Sequence, residues 1–405
     1  MSLSYIHAQN YRCFHDLEMK FKPGINLLMG DNTTGKTTIL ELGQMVCSSL
    51  ICGYHDEGFT FRGLNDCTPE DEPLDVTFTL FGVNGNIALR PERGTVSSKG
   101  LRAIMAYGQK LRNPAKELPV LAAFSTGAIH LGISEKVAES NTRHFHLQSD
   151  TLGYQNCFSQ FSLLDYWTQH FLALEKEQKC LVELASVRKS ILALGSAGMD
   201  IIQDFAISKH SGGLHLTLKD GREIPVRNLS DGYRRLLDVV MDIAFRCALL
   251  NARVFGEDAG QKSSGIVFID DIEFYLHPTL QARVFKGLQK AFPNIQFIAT
   301  THAPLVISSI PNIGNNQVIK LSYSPTTGYT QKSISGYGQD TTAILGDIMD
   351  APTMDAEVQS AITAIRTLID NHQIKQASAA LEELRAKIGN TAEVTKLGID
   401  ISFAE

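Results

Sequence analysis

No apolar run in this 405-residue sequence approaches the roughly 20 consecutive residues that a spanning helix needs, so neither membrane insertion nor a membrane partner is expected. Met1-Ser2-Leu3-Ser4-Tyr5-Ile6 lacks a basic region followed by an apolar one, and no signal peptide is expected. The seven cysteines, Cys13, Cys47, Cys52, Cys67, Cys157, Cys180 and Cys247, contain no Cys-x-x-Cys pair. That spacing indicates neither a zinc ribbon nor a disulfide framework, and a reducing cytoplasm is the expected location. Repeats and low-complexity stretches are also missing. There is no excess of basic charge: the formal net charge is −6, against a surface coated for nucleic acid.

The charge is uneven, however. Across Arg90–Lys116 the bases Arg90, Arg93, Lys99, Arg102, Lys110, Arg112 and Lys116 precede Glu117 with only Glu92 as an internal acid. This run is expected to be a solvated loop; contact with a nucleic-acid phosphate backbone is the alternative reading.

Composition otherwise suits a globular α/β chain of more than one structural unit. Ser4–Gln9 and Leu17–Phe21 read as strands, and Pro23-Gly24 as a turn before the apolar strand Ile25–Met29. Ile39, Leu40, Leu42, Val46 and Leu50 predict a helix over Lys36–Leu50. Strands are expected at Val76–Phe81, Ile87–Arg90 and Pro119–Phe124, and a helical region over Leu163–Leu194. Leu174, Leu181, Leu184 and Ile191 there keep heptad spacing, but Glu177 and Arg188 interrupt the seam. The β/α pattern resumes with strands at Leu214–Leu218, Glu223–Val226, Ile266–Ile269 and Gln296–Ala299, and helices over Gly232–Leu250 and Pro278–Phe292. Such alternation predicts a parallel sheet covered by helices. The tail reads as helical near Thr341–Met349, Ala356–Asn371 and Ile374–Ile388. The expected divisions are 1–125, a mainly helical insertion at 126–212, a second α/β part at 213–336, and a helical tail at 337–405.

Gly30-Asp31-Asn32-Thr33-Thr34-Gly35-Lys36-Thr37 fits G-x-x-x-x-G-K-[ST] at every fixed position, between a predicted strand and a predicted helix. Glycines there let backbone N–H groups turn toward phosphate oxygens, and the helix N-terminus adds partial positive charge. Lys36 is the candidate for the β- and γ-phosphates and Thr37 for Mg²⁺; Thr38 is grouped with the loop. The apolar strand Gly265–Ile269 ends in Asp270-Asp271-Ile272-Glu273. Asp270 is the candidate Mg²⁺ partner, Asp271 the group that orients or deprotonates the attacking water, and Glu273 a second candidate for that task. His302, 32 residues after Asp270 and behind the next strand, is placed to bond a γ-phosphate oxygen. These features together predict an ATP site with Mg²⁺.

Ser230 in Leu229-Ser230-Asp231-Gly232-Tyr233 reads as a helix N-cap, a geometry that also offers a hydroxyl and free N–H groups to phosphate. A loop and a cap of this kind suggest two half-sites completed by another copy of the chain. Here the sequence resembles ABC-type ATPases: Leu229–Tyr233 resembles their signature motif, with Asp231 and Tyr233 as departures. In that comparison Asp270 and Asp271 match the Walker B aspartate and the catalytic glutamate, Leu276-His277-Pro278 the D-loop, and His302 the switch histidine. The opening Ala8–Phe14 is similar to the RecF/SMC/OLD branch, which implies that Arg12 touches nucleotide. Lys36 and Ser230 are 194 residues apart, more than the spacing of transporter cassettes.

A narrower resemblance joins Phe124–Gly127, Gly153–Cys157, Tyr166-Trp167, Tyr337-Gly338, Ile344–Met349 and Leu381–Asn390 to OLD-like ATPases, in particular the PtuA family of Septu-type anti-phage systems. Ala128 departs from it, standing where arginine is usual. The resemblance implies an ABC-type P-loop head, a mixed, mainly parallel sheet with a β lobe, carrying a helical insertion and a helical tail. It further implies a homodimer or higher even-numbered oligomer that acts as a nucleotide-dependent switch of a defence complex. Residues 338–405 are too few for a Toprim nuclease domain, so an HNH or Toprim effector is expected as a separate chain. Asp271 is one methylene shorter than the usual glutamate, and slow hydrolysis is expected. The alternative is a RecF/SMC-like repair ATPase binding duplex DNA.

Overall fold

Strict alternation of buried and half-buried residues makes Leu74–Leu80 a strand with Leu74, Val76, Phe78 and Leu80 facing inward. It lies in a five-stranded antiparallel sheet with Leu3–Tyr11 (β1), Phe14–Lys20 (β2), Val83–Arg90 (β5) and Thr95–Ser97 (β6), Leu74–Leu80 being β4. The computed structural model describes residues 1–55, 73–90, 95–125, 149–158, 162–177, 180–196, 202–207 and 214–404. They form two units, Met1–Gln339 and Asp340–Glu405. Arg93, Thr126, Gly127 and Ala128 lie outside the described residues.

The central sheet of the first unit is built from Ile25–Gly30 (β3), Val120–Phe124 (β7), Gly265–Ile269 (β11), Ile295–Thr301 (β12), Gln317–Ser324 (β13) and Gly328–Ile334 (β14), in the order β14-β13-β3-β12-β11-β7. All neighbours pair in parallel except β13 with β14, which form an antiparallel hairpin at the edge. Every residue of β11 and β12 is buried, the pattern of parallel strands covered on both faces. Gln296 on β12 accepts the Leu3 N–H at 2.8 Å and donates to the Leu3 and Lys22 carbonyls, fastening the central sheet to the antiparallel one.

Helix α1 (Lys36–His55) lies against this sheet so closely that a Cβ on Gly43 would stand 2.5 Å from the Phe268 ring. The basic run differs from expectation: Arg102–Lys110 is a helix, α2, packed on α1. A Cβ on Gly53 would meet the Met105 backbone at 2.5 Å and one on Gly108 the Leu50 carbonyl oxygen at 2.7 Å, so two glycines let the helix axes approach. Arg112 donates from Nε to the Tyr54 carbonyl, closing the C-terminal end of α1 rather than standing as a free cation.

Ser149–Tyr154 (α3), Leu164–Glu177 (α4) and Leu181–Leu194 (α5) supply helices within the expected insertion, but Ile202–Ile207 there is a strand, β8. It pairs with Leu214–Leu218 (β9), which pairs with Glu223–Pro225 (β10), so one antiparallel sheet crosses the expected division at 212/213. Helix α6 (Asp231–Phe255) is buried along most of its 25 residues. Inside it Arg246, 1% exposed, holds Asp242 with two hydrogen bonds of 2.7 and 3.0 Å and the Gly153 carbonyl at 2.8 Å. Trp167 donates to the same Asp242 at 2.6 Å and stacks on Phe245 with ring centroids 4.8 Å apart. Residues Pro278–Phe292, expected as one helix, form two, Pro278–Gln281 (α7) and Val284–Ala291 (α8), parted at Arg283 with φ −125°. The β13–β14 hairpin has no counterpart among the expected strands.

In the second unit Ala356–Asp370 (α10), Ile374–Ile388 (α11) and Ala392–Ala404 (α12) follow a short irregular helix, with Pro304–Ser308 in the first unit being α9. Helix α12 lies beyond the tail helices expected from sequence. Ile362, Ile365, Ala377, Leu381, Leu384, Val394, Leu397 and Ile401 make a core of its own. Eleven acidic residues face five basic ones over 340–405, which is the whole of the chain's net charge of −6. Among the described residues no helix is long and apolar enough to cross a membrane, and the six described cysteines form no disulfide.

Trp167 is the only tryptophan and 1% exposed, so its fluorescence reports the packing of α4 on α6. Phe245→Ala is expected to lower stability by about 3–5 kcal/mol in denaturant unfolding followed at this residue. A loss below about 1 kcal/mol would place the stack outside the cooperative core.

Candidate functional site

The loop that leaves β3 can turn because two of its residues lack a side chain. Gly30 has φ 153° and Gly35 φ 84°. A Cβ on Gly30 would stand 2.3 Å from the Leu321 carbonyl oxygen, and one on Gly35 2.3 Å from the Phe14 ring. Asp31, Asn32 and Thr33 form its exposed rim, while Thr34 is buried and donates to the Asp31 carbonyl at 2.8 Å. Thr37 is exposed at the start of α1 and Thr38 half-buried.

Lys36 is 7% exposed, its Nζ donating to the carbonyls of Gly30 and Asp31 at 2.8 Å each. Burial pulls this ammonium below its ordinary range, and the carboxylates of Asp271, Asp270, Asp31 and Glu273 act to raise it. Thr37 Oγ1 donates to Asp270, 3.0 Å from Oδ2, so the two side chains assigned to a cation stand together. A hydroxyl and a carboxylate are hard oxygen donors, and two of them beside a phosphate loop fit Mg²⁺, which keeps several waters and phosphate oxygens as its other ligands. Burial raises the Asp270 carboxyl, while the Thr300 hydroxyl acts to lower it.

Thr300, which sequence reasoning did not single out, joins the two acids. Its Oγ1 accepts the Asp271 N–H at 2.7 Å and spends its one proton on Asp270 Oδ1 at 2.7 Å. Asp271 takes φ 45°, a left-handed conformation that aspartate tolerates better than most residues. Its Oδ1 lies 4.0 Å from His302 Nε2, both side chains being partly exposed. Glu273 stands differently: Oε2 accepts from the Thr301 hydroxyl at 2.7 Å and Oε1 from the His302 N–H at 2.5 Å. With both oxygens engaged, Glu273 holds the strand end that carries His302, and Asp271 has the more open carboxylate. The sequence signal for Thr300 was a hydroxyl pair closing an apolar strand one step before His302.

Arg12 occupies the β1–β2 turn at φ 50° and pairs with Glu41 on α1. Ser230 is at the N-cap position of α6, exposed, and its side chain makes no capping hydrogen bond. Asp231 is exposed beside it, and Gly232 is buried where a Cβ would stand 2.5 Å from the Tyr275 carbonyl oxygen. The start of α6 thus packs on the segment that follows Asp271 and Glu273. One turn on, the Arg235 guanidinium is 4% exposed, 4.0 Å from Asp238, and its two terminal nitrogens have no hydrogen-bond partner among the described residues. Burial lowers the Arg235 pKa, while Asp238, Asp270 and Asp271 act to keep it charged. Burial also pushes the Asp238 carboxyl up to about 6 despite Arg235. Position alone did not separate Arg235 from its exposed neighbour Arg234, which pairs with Asp165.

A family model described as "AAA domain, putative AbiEii toxin, Type IV TA system" matches residues 133–308, and one described as "AAA domain" matches residues 5–48. The chain is 36% identical to the Retron Vc95 probable ATPase of Vibrio cholerae serotype O1 biovar El Tor over 145 residues, 35% of this chain and 27% of that protein. It therefore matches about a quarter of that relative's length. It is 22% identical to the Septu protein PtuA of Bacillus thuringiensis over 307 residues, 73% of this chain and 70% of that one. The SMC head domain from Thermotoga maritima aligns with a TM-score of 0.40 at 11% identity, over 83% of this chain and 100% of that one.

Because the folded-state carboxyl of Asp238 lies above its unfolded value, its contribution to stability is complete below about pH 4 and lost as pH rises through about 6. Denaturant unfolding at pH 4.5 and 7.5 is expected to show wild type losing stability relative to Asp238→Asn across that window. Parallel profiles for the two proteins would contradict this. The chain thus carries matches to two AAA domain models and is similar over part of its length to the Retron Vc95 probable ATPase and to Septu protein PtuA.

Proposed function

We propose that this chain binds ATP with Mg²⁺, hydrolyses it slowly, and works as a homodimeric, nucleotide-dependent switch in a bacterial anti-phage defence complex whose nuclease is a separate chain. The observation that carries this reading is the meeting of Lys36, Thr37 and Asp270 at the mouth of a loop shaped for phosphate. The ATPase head would comprise 1–125 and 213–336, with 126–212 inserted and 337–405 appended.

In this reading Lys36 leaves its loop carbonyls for the β- and γ-phosphates, and the backbone from Gly30 to Thr38 surrounds the remaining oxygens. Thr37 and Asp270 hold Mg²⁺, whose charge offsets that developing on the phosphates. Asp271 orients a water and takes its proton, His302 bonds the γ-phosphate, and Glu273 keeps that histidine in place. Arg12 stands on the nucleotide side of the β1–β2 turn. The short side chain of Asp271 reaches less far than glutamate, which supports slow turnover. Ser230, whose side chain makes no capping hydrogen bond, closes with Asp231 and the first turn of α6 over the nucleotide of the twin subunit. Similarity to a Septu protein and a retron ATPase supports the defence setting, and the effector is of HNH or Toprim type. A cytoplasmic location follows from that setting. Direct binding of duplex DNA through Arg90–Lys116 has less support, since Arg112 is spent on α1 carbonyls.

Lys36→Ala is expected to weaken ATP binding about 10- to 100-fold, the value of a charge-assisted contact. Asp271→Asn should cut turnover by at least about 100-fold and Asp271→Glu should raise it. Light scattering with ATP should give Asp271→Asn the mass of a dimer, and Ser230→Arg that of a monomer that still binds ATP. Undiminished ATP binding by Lys36→Ala removes the nucleotide reading; a monomeric Asp271→Asn protein removes the shared site.

A further inference from the structure

The β13–β14 hairpin carries two tyrosines that neither the central sheet nor the loop chemistry uses. Strand β13 runs past the end of β3: Leu321 pairs with Gly30, the last residue of β3, and Tyr323 lies two residues further, about 7 Å on. Ile319 and Leu321, on the same face of the strand as Tyr323, are 5% and 4% exposed. Beyond the end of β3 that face comes into the open, and Tyr323 is 57% exposed. Directly across the hairpin is Tyr329, with ring centroids 4.8 Å apart and planes tilted by 47°, so the pair do not cover each other's faces.

Tyr329 is tied to the phosphate loop. Its ring meets the edge of Phe14 at 4.8 Å and its hydroxyl bonds the Cys13 side chain. Phe14 and Cys13 are the residues against which Gly35 packs, a Cβ there standing 2.3 Å from the Phe14 ring and 3.1 Å from the Cys13 sulfur. Contacts from Gly35 through Phe14 to Tyr329 and Tyr323 therefore link the loop to an exposed aromatic surface just outside it. Several polar groups of the hairpin are engaged elsewhere. Gln331 donates to the Glu18 carbonyl, and Ser324, Thr326 and Thr327 hydrogen-bond among themselves.

We propose that Tyr323, braced by Tyr329, is a stacking platform for the purine base of the nucleotide whose phosphates occupy the loop. This rests on the nucleotide reading above and adds what that reading leaves open, the seat and selectivity of the base. A purine offers a broad π-face to such a ring, and stacking needs no donor or acceptor on the base edge. With no amide or carboxylate on the hairpin free to read that edge, the platform accepts adenine and guanine alike.

Titration calorimetry with ATP, GTP and inorganic tripolyphosphate, each with Mg²⁺, separates base from phosphate. Tyr323→Ala is expected to weaken ATP and GTP about tenfold and leave tripolyphosphate within about twofold, while Tyr323→Trp keeps wild-type affinity. Lys36→Ala should weaken all three. If ATP binding depends on Lys36 but is indifferent to Tyr323→Ala, or if that variant weakens tripolyphosphate equally, the platform is refuted and the nucleotide reading stands. If wild type takes up none of the three, both fall together.

Discussion

A positive charge shut inside a ring of acids governs the architecture around the loop. Lys36 is nearly buried, and the groups facing it are two carbonyls of its own loop and the carboxylates of Asp31, Asp270, Asp271 and Glu273. An ammonium in that position is tolerable only while those oxygens stay close, because desolvation penalises the charged form. The strands bearing the acids are consequently fixed to the strand bearing the loop: β11 and β12 pair residue by residue, and β12 pairs with β3. Thr300 and Thr301 complete the arrangement by satisfying one acid each. The carboxylates outnumber the ammonium, so on the proposed reading a polyphosphate is best received together with a cation.

The other end of the site depends on α6, which is specified by polar groups as much as by apolar ones. Arg246, Asp242 and Trp167 form a buried, mutually satisfied set that fixes the rotation of the helix against α3 and α4. A polar set of this kind tolerates few alternative packings, since any shift of register strands a charge. Nearer Ser230 the same helix carries Arg235 and Asp238, 4.0 Å apart and incompletely bonded. The helix is therefore firmly held where it crosses the core and less completely bonded toward its exposed start.

Much of the site could be read from residue order because its chemistry is local. The glycine and lysine spacing of the loop, the acid pair after β11 and His302 after β12 each sit at a strand end recognisable from apolar runs. What escaped was non-local or was concealed by charge. Strand β13 alternates Ile319, Leu321 and Tyr323 with Lys320, Ser322 and Ser324, but it pairs with residues far away in sequence, Gln317 with Asn26. Arg102–Lys110 lies inside the basic run and begins and ends on a base, yet it is a helix packed on α1, where Gly53 and Gly108 allow close approach, a matter of interlocking rather than periodicity. The residue type at Ser230 announced a cap; that its side chain makes no capping hydrogen bond is a property of the folded chain alone.

The three-helix unit at Asp340–Glu405 carries all of the molecule's surplus acidity. A protein shortened to residues 1–339 would hold equal numbers of acidic and basic side chains and bring its isoelectric point close to neutrality. Colloidal repulsion would then vanish at the pH of most buffers, and the head would be prone to precipitate even with its core intact. The acidic bundle thus supplies the whole of the net charge by which copies of the chain repel one another.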